Sequence, residues 1–241
     1  MDSSLKLNRN QLKYVLITAM LIDHIAFAFV PTFSILGQSL HIIGRLTGPS
    51  MAVLLAEGYQ YTKSKGKYAL RLFIFALISW IPYSLQEYGS WPFIGQGVIY
   101  SLFIAFLVIW MWDKAKIAKP LKYLLVVLGC ILSLIGDWAF FVVLWALFSY
   151  IFRDDPKRKW ISFSIIAVFE VGMAMLMSHL NSEHGAMQQF FQVGVVLVPI
   201  LLIFFYNGKK GSKAPIHKWF FYIFYPAHML IIFLLKRYVI G

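Results

Sequence analysis

An aspartate and a histidine stand side by side in the apolar stretch LIDHIAFAF, residues 21–29. A neutral imidazole takes up a proton near neutral pH, so His24 is suited to general-base chemistry. Consecutive residues of a helix point about 100° apart, so Asp23 and His24 do not face each other. We therefore predict that Asp23 pairs with a residue of another helix while His24 faces a cavity.

Further ionisable residues interrupt the other apolar runs of the chain. They are Arg45, Glu57, Asp137, Glu170 and His228. Because His228 lies about as far beyond Lys218 as Asp23 lies beyond Lys13, the first and last helices could converge on one polar cavity. Ionisable groups inside a membrane are expensive and point to function. Structural contacts are the alternative, for example Arg45 clamped to Asp23 or Asp137.

The chain lacks the sequence patterns of the common metal, nucleotide and hydrolase sites. It contains no HExxH motif, no Gly-rich phosphate loop and no nucleophile elbow. Its single cysteine, Cys130, can form neither an internal disulfide nor a cysteine metal cluster. A metal held by Asp23, His24 and His228 stays open as an alternative, but we expect no metal.

A basic and aromatic segment follows the second apolar run. It contains Tyr59, Tyr61, Thr62, Lys63, Lys65, Lys67, Tyr68 and Arg71. Ammonium and guanidinium groups bind phosphates, and aromatic faces stack on bases. The segment therefore suits a phosphorylated ligand that carries a base, although an ordinary cytoplasmic loop with interfacial tyrosines would have the same composition.

The composition identifies the class of protein. The chain of 241 residues is 60% hydrophobic and 13% charged, with a mean hydropathy of +0.73 that exceeds the range of soluble domains. Continuous apolar runs predict an all-α polytopic membrane bundle of about nine transmembrane helices. The predicted spans are residues 13–33, 41–62, 68–86, 94–112, 120–136, 137–152, 160–179, 189–206 and 217–239. The fifth and sixth share one stretch that could form a hairpin or a kinked or re-entrant helix. Without internal repeats, we expect a single domain, residues 1–241.

The basic residues are distributed unevenly around these spans. The formal net charge is +12, and nearly every Lys and Arg lies before the first span or in every second connection. By the positive-inside rule these segments and the amino terminus are cytoplasmic, and an odd number of spans puts the carboxyl terminus outside. We expect a multi-pass protein of the bacterial cytoplasmic (inner) membrane that contacts lipid and binds no nucleic acid.

Several segments carry motifs in a fixed order. They are LKYVLITAMLIDHIAFAF, GRLTGPSMAVLLAEGYQYTKSKGKYALRL, GDW at residues 136–138, and FYIFYPAHMLII. Together they resemble the TraX family, named for the F-pilin N-acetylase, over nearly the whole chain. The sequence departs from the family pattern at Thr47 and Gly48, where apolar residues are expected, and at Ala139, which follows Asp-Trp where glycine is usual.

The resemblance implies a transmembrane acyltransferase, in which acetyl-CoA is the co-substrate and enters from the cytoplasm. It implies that His24 is the catalytic base or a transient acyl carrier. The residues implied to line or shape the site are Asp23, Arg45, Glu57, Tyr59, Arg71, Asp137, Tyr225 and His228. The acceptor would be an amine or hydroxyl of a pilin, another peptide or a cell-envelope glycan.

The residues and the resemblance lead to one mechanistic hypothesis. The nucleotide end of CoA binds between Lys63 and Arg71, and His24 deprotonates the acceptor or carries the acetyl group. Arg45 or Tyr225 donates a hydrogen bond to the oxyanion that develops. The alternative is a proton-coupled transporter whose relay consists of Asp23, His24, Glu57 and His228. The sequence shows no internal repeat of the kind that many transporters have.

Overall fold

The computed structural model describes residues 6–91 and 94–240, almost all of them in helices. The α-helices are α1 (Arg9–Phe29), α2 (Ile35–Gly44), α3 (Thr47–Tyr61), α4 (Lys65–Tyr88), α5 (Val98–Lys114), α6 (Lys119–Leu132), α7 (Ala139–Ile151), α8 (Pro156–Asn181), α9 (Val198–Phe205) and α10 (Pro215–Leu235). 3-10 helices cover Ser133–Ile135 and Gly185–Leu197, and a π-helical segment covers Lys236–Ile240. The described ranges contain no β-strand, only isolated bridges.

Within the described residues, five helical segments are long and apolar enough to cross a membrane. They are Arg9–Phe29, Lys65–Tyr88, Pro156–Asn181, Gly185–Phe205 and Pro215–Val239. The prediction of an all-α polytopic membrane protein is therefore confirmed. The predicted number of about nine spans is larger, because some apolar runs of the sequence are divided into shorter helices such as α2, α3 and α7.

The second predicted span, residues 41–62, is divided into two helices. α2 ends at Gly44, and α3 begins at Thr47 after a turn. Pro49 accounts for the division, because proline has no N–H to donate to the Arg45 carbonyl four residues earlier, and its ring crowds the preceding turn. In the first turn of a new helix the same proline is tolerated.

The fifth and sixth predicted spans are two separate helices, α6 and α7, rather than one kinked helix. A 3-10 turn and the Gly-Asp-Trp motif connect them. Trp138 and Ala139 both have positive φ, at 64° and 37°. A left-handed conformation is strained for residues other than glycine, which gives a physical reason why glycine would be usual at position 139.

Contacts divide the described residues into two compact units. Unit 1 is the described part of Met1–Ser50, Phe163–Phe224 and Leu234–Gly241. In it, α1 packs against α2, and α2 packs against the 3-10 helix Gly185–Leu197. A capping box of Asn8 and Gln11 begins α1. The expectation of a single domain stays a prediction.

Unit 2 comprises Met51–Ser162 and Tyr225–Phe233. α5 lies at its centre and packs against α4, α6 and α7. The core of this unit includes the fully buried side chains of Phe106, Ile109, Val142 and Trp145. Residues 215–224 and 234–235 of α10 belong to unit 1, and Tyr225–Phe233 belongs to unit 2.

Candidate functional site

Asp23 lies at the centre of a buried polar cluster in unit 1, which we call the Asp23 cluster: Asp23, His41 and Arg45. The Asp23 residue is 3% exposed. One carboxylate oxygen accepts a hydrogen bond from Nδ1 of His41 at 2.6 Å. The other accepts a hydrogen bond from the guanidinium of Arg45 within an ion pair. Both oxygens of one buried carboxylate are therefore held by basic side chains.

The local sequence of α2 explains how this geometry arises. His41 and Arg45 are four residues apart at the end of α2, so both side chains lie on the same face of the helix. Gly44 lies between them, and a Cβ at this position would collide with the side chain of Asp23. The absent side chain at Gly44 thus allows α1 to approach closely enough for Asp23 to reach both partners.

Aromatic rings surround the basic members of the cluster. The ring centroids of Phe27 and His41 are 3.8 Å apart, and those of Phe191 and His41 are 5.0 Å apart. The guanidinium carbon of Arg45 lies 5.6 Å from the Phe27 ring and 5.3 Å from the Phe191 ring. Cation–π attraction and close packing hold the two basic side chains in one arrangement.

The hydrogen bonds determine which nitrogen of His41 carries a proton. A carboxylate in an ion pair can only accept, so Nδ1 of His41 is the donor. In a neutral imidazole, Nε2 is then the acceptor. Nε2 is buried and has no hydrogen-bond partner among the described residues. The Asp23 cluster therefore contains an oriented imidazole with a lone pair that no described residue uses.

A second carboxyl group lies near the Asp23 cluster in unit 1. Glu170 of α8 is 5% exposed and lies within electrostatic reach of Arg45. Its Oε2 atom has no hydrogen-bond partner in the described part of the chain. Glu170 belonged to the sequence-predicted polar residues, and the structure places it within electrostatic reach of the predicted Arg45.

The structure confirms that Asp23 pairs with a residue outside its own helix, as the helix geometry predicted. The Asp23–Arg45 pair is one of the structural contacts that the sequence left open. His24 is half-buried and lies within electrostatic reach of Asp23. His41 was missed because it begins the second predicted span, where a histidine resembles an ordinary interfacial residue. The spacing His-x-x-x-Arg on one helix face, after a buried aspartate, is the signal that would have found it.

Part of the predicted basic and aromatic segment forms a second cluster, in unit 2. Asp113 of α5 accepts hydrogen bonds from the hydroxyls of Tyr59 at 2.6 Å and Tyr150 at 2.7 Å. Lys65 donates to the carbonyls of Tyr59 and Thr62, and its Nζ lies 4.0 Å from the centroid of the Tyr59 ring. Asp113 and Tyr150 were not predicted, because each lies far from the segment in sequence. We call these residues the Tyr59–Asp113 cluster.

The remaining members of the segment lie near this cluster in sequence but are less buried. The guanidinium carbon of Arg71 lies 5.3 Å from the centroid of the Tyr68 ring. Tyr61, Lys63 and Lys67 are exposed. Exposed lysines beside aromatic side chains are groups of the kind that bind anionic ligands.

A third group of predicted residues meets at the amino-terminal end of α5 in unit 2. Tyr225 is buried, and its hydroxyl accepts a hydrogen bond from the Val98 N–H at 3.2 Å. The His228 ring lies 5.6 Å from the Tyr225 ring, edge to face. The backbone N–H of Asp137 donates to the Gln96 carbonyl at 2.7 Å. The structure thus brings Tyr225 together with His228 and binds the Gly-Asp-Trp motif to the same end of α5.

Two further predictions concern Glu57 and a possible metal site. Glu57 is half-buried in α3 and lies within electrostatic reach of Lys159. In the described part of the chain, no group of three His, Cys, Asp or Glu side chains has the geometry of a metal site. The expectation of no metal stays a prediction.

Comparison with known proteins finds a family model that covers the residues of these clusters. The family model described as TraX protein matches residues 8–236, which include all three clusters. A probable fimbrial assembly protein, FimC of serogroup H1, from Dichelobacter nodosus is 27% identical over an alignment that covers 99% of this chain and 100% of that protein. No solved structure matches the chain significantly. The chain belongs to the TraX protein family.

Proposed function

We propose that the protein is a membrane-embedded acetyltransferase that moves an acetyl group from acetyl-CoA to an amine or hydroxyl acceptor. The observation that carries this proposal is the Asp23 cluster, where a buried carboxylate orients an imidazole inside an apolar helix bundle. Acyl transfer needs a base that removes a proton from the nucleophile, and a carboxylate that fixes the tautomer of a histidine is a recurrent solution. Membership of the family and the relative named for fimbrial assembly favour a protein acceptor.

Individual residues have distinct roles in this proposal. His24, next to Asp23 on α1, accepts the acetyl group or a proton of the acceptor. Arg45 stabilises the negative charge that develops on the thioester oxygen, since its guanidinium carries several N–H donors. Asp23 holds the cluster together.

The Tyr59–Asp113 cluster and the adjacent lysines provide the proposed binding surface for CoA phosphates. Lys65 and Lys67 supply positive charge, and the exposed Tyr61 and half-buried Tyr68 supply aromatic faces for the adenine base. By the distribution of Lys and Arg, this surface lies on the cytoplasmic side, where acetyl-CoA is made available. A transporter has no need for such a surface.

Acetyl-CoA labelled in the acetyl group tests the proposal on the purified protein in nanodiscs. We expect binding of acetyl-CoA together with release of CoA or labelling of the protein. His24→Ala should reduce release by about 10²–10⁴-fold. Lys65→Ala/Lys67→Ala should weaken binding at least about tenfold, because charge-assisted hydrogen bonds to phosphate are lost.

Lys116→Ala/Lys119→Ala is the matched control, because both lysines are exposed and lie outside the Tyr59–Asp113 cluster. This variant should bind and release like the wild type. Folded wild-type protein that neither binds acetyl-CoA nor releases CoA would refute the proposal. Proton uptake coupled to solute transport by the same protein reconstituted in liposomes would then support the relay of Asp23, His24, Glu57 and His228 instead.

A further inference from the structure

We infer that His41 is a catalytic residue of this protein, the general base that removes the proton from the acceptor. This inference rests on the proposed acetyltransferase function and, within it, moves the removal of the acceptor proton from His24 to His41. The sequence motifs single out His24 and do not include His41. The structure distinguishes the two, because His41 and not His24 receives the carboxylate of Asp23 on its Nδ1 atom.

The hydrogen-bond pattern of His41 is that of a base rather than of a structural histidine. Its Nδ1–H donates to Asp23 at 2.6 Å, which leaves the lone pair on Nε2. A buried histidine with only a structural role normally satisfies both ring nitrogens, since an unsatisfied buried polar atom costs free energy. His41 is 0% exposed, yet Nε2 has no partner among the described residues. A buried Nε2 without a donor in the protein suits a ligand that carries its own N–H or O–H group.

The chemistry of Nε2 also identifies which substrate it meets. The reacting end of acetyl-CoA is a thioester, whose oxygen and sulfur have no hydrogen to donate. An amine or hydroxyl nucleophile carries N–H or O–H and can donate to Nε2. The Asp23 cluster is therefore the part of the protein that binds the acceptor.

The surroundings of His41 fix its orientation. Arg45 holds the second oxygen of Asp23, so the carboxylate cannot rotate away from Nδ1. Phe27 lies against the imidazole ring at 3.8 Å and Phe191 at 5.0 Å. A base that is positioned before the substrate arrives loses little entropy on reaction.

The reaction is a direct transfer of the acetyl group from CoA to the acceptor. Nε2 of His41 takes the proton from the acceptor N–H or O–H, and the acceptor lone pair forms a bond to the thioester carbonyl carbon. The carbon–sulfur bond then breaks, and CoA leaves as a thiolate. The imidazolium of His41 returns its proton to the thiolate, so the products are the acetylated acceptor and CoA.

His41→Asn is the decisive variant, because the Asn amide can still donate a hydrogen bond to Asp23 from the position of Nδ1 but offers no base. The readouts are acetyl-CoA binding and CoA release in nanodiscs, with a mixture of unblocked tripeptides as the amine probe. We expect binding equal to the wild type and release slower by about 10²-fold or more. The loss should fall on kcat, with KM for acetyl-CoA unchanged.

The pH profile separates a base from a structural contact. Wild-type kcat should fall as the pH decreases, because a protonated base cannot accept the proton of the acceptor. Residual activity of His41→Asn should lack this acidic limb. Among the described residues, Asp23 contacts His41, His24 on α1 and Arg45 after α2 lie within electrostatic reach of Asp23, and Glu170 on α8 lies within reach of Arg45; none of them is changed in this variant.

The possible outcomes separate this inference from the proposed function. His41→Asn releasing CoA at more than about a tenth of the wild-type rate would overturn the role of His41 and leave the acetyltransferase intact. Folded wild-type protein that neither binds acetyl-CoA nor releases CoA would overturn both. If His41→Asn does not fold, His41→Gln replaces it under the same criteria, since its amide reaches the position of Nε2 without accepting a proton.

Discussion

Asp23 and Arg45 form an ion pair whose side chains are only 4% and 13% exposed. We predict that the apolar replacements Asp23→Leu and Arg45→Met each destabilise the protein strongly. The double variant should lose much less stability than the sum of the two single losses. Each single change leaves one buried charge without its partner, whereas the double change removes both charges together.

The contacts of Asp23 determine the magnitude of the coupling between the two changes. Loss of one partner of a buried ion pair lowers the free energy of unfolding by about 3–5 kcal/mol, so the two single changes sum to about 6–10 kcal/mol. In the double variant, the remaining loss is the acceptor of the His41 Nδ1–H. An unsatisfied buried donor costs about 1–3 kcal/mol. The two changes should therefore be coupled by at least about 3 kcal/mol.

Reversible unfolding by SDS in mixed detergent micelles, followed by circular dichroism, gives the four free energies of this double-mutant cycle. The exposed pair Arg158–Asp155 is the matched control. Its nitrogen–oxygen distance is 3.2 Å, and its side chains are 72% and 43% exposed. Coupling there should be about 1 kcal/mol or less. Single changes at Asp23 and Arg45 that each cost less than about 1 kcal/mol and simply add would refute the reasoning, because water would then solvate the cluster.

Two further predictions concern backbone positions and use the same unfolding measurement. Gly44→Ala should lower the free energy of unfolding by about 1–3 kcal/mol, because its Cβ meets the side chain of Asp23. Gly172→Ala, where a Cβ meets nothing within 4 Å, should raise it by about 0.5–1 kcal/mol, and equal effects of the two changes would contradict the close approach. Ala139→Gly should stabilise by roughly 0.5–1 kcal/mol by relieving a φ of 37°. The same change at Ala174, inside α8, should destabilise by about 0.5–1 kcal/mol, and a gain there of equal size would remove the explanation by strain.

The sequence was sufficient for the fold class because hydropathy reports directly which segments prefer lipid. It was less informative about where a continuous apolar run stops being one helix. Residues 41–62 are apolar almost throughout, yet the missing N–H of Pro49 divides them. The eighth predicted span begins as the 3-10 helix Gly185–Leu197 before α9, and hydropathy does not distinguish a 3-10 helix from an α-helix.

The polar clusters were predictable as a set of residue types but not as contacts. Few ionisable residues interrupt the apolar runs, so Asp23, Arg45 and Glu170 could be identified one by one. The position of α2 along α1, which selects His41 as the partner of Asp23, depends on the missing side chain at Gly44. Such a register is set by packing between segments and leaves no periodic pattern in one sequence.

The charges of the Asp23 cluster explain why an aspartate is maintained in an apolar helix. The carboxylate of Asp23 and the guanidinium of Arg45 cancel, so the cluster with a neutral His41 carries no net charge, which is the cheapest state for a buried group. A proton on Nε2 of His41 would give the cluster a net positive charge. Glu170, within reach of Arg45, is the one buried carboxyl group on α8 that could offset this charge as a carboxylate. A cluster whose charges cancel when His41 is neutral, with a carboxyl group within electrostatic reach, is suited to hold one proton briefly, which is the property that a general base requires.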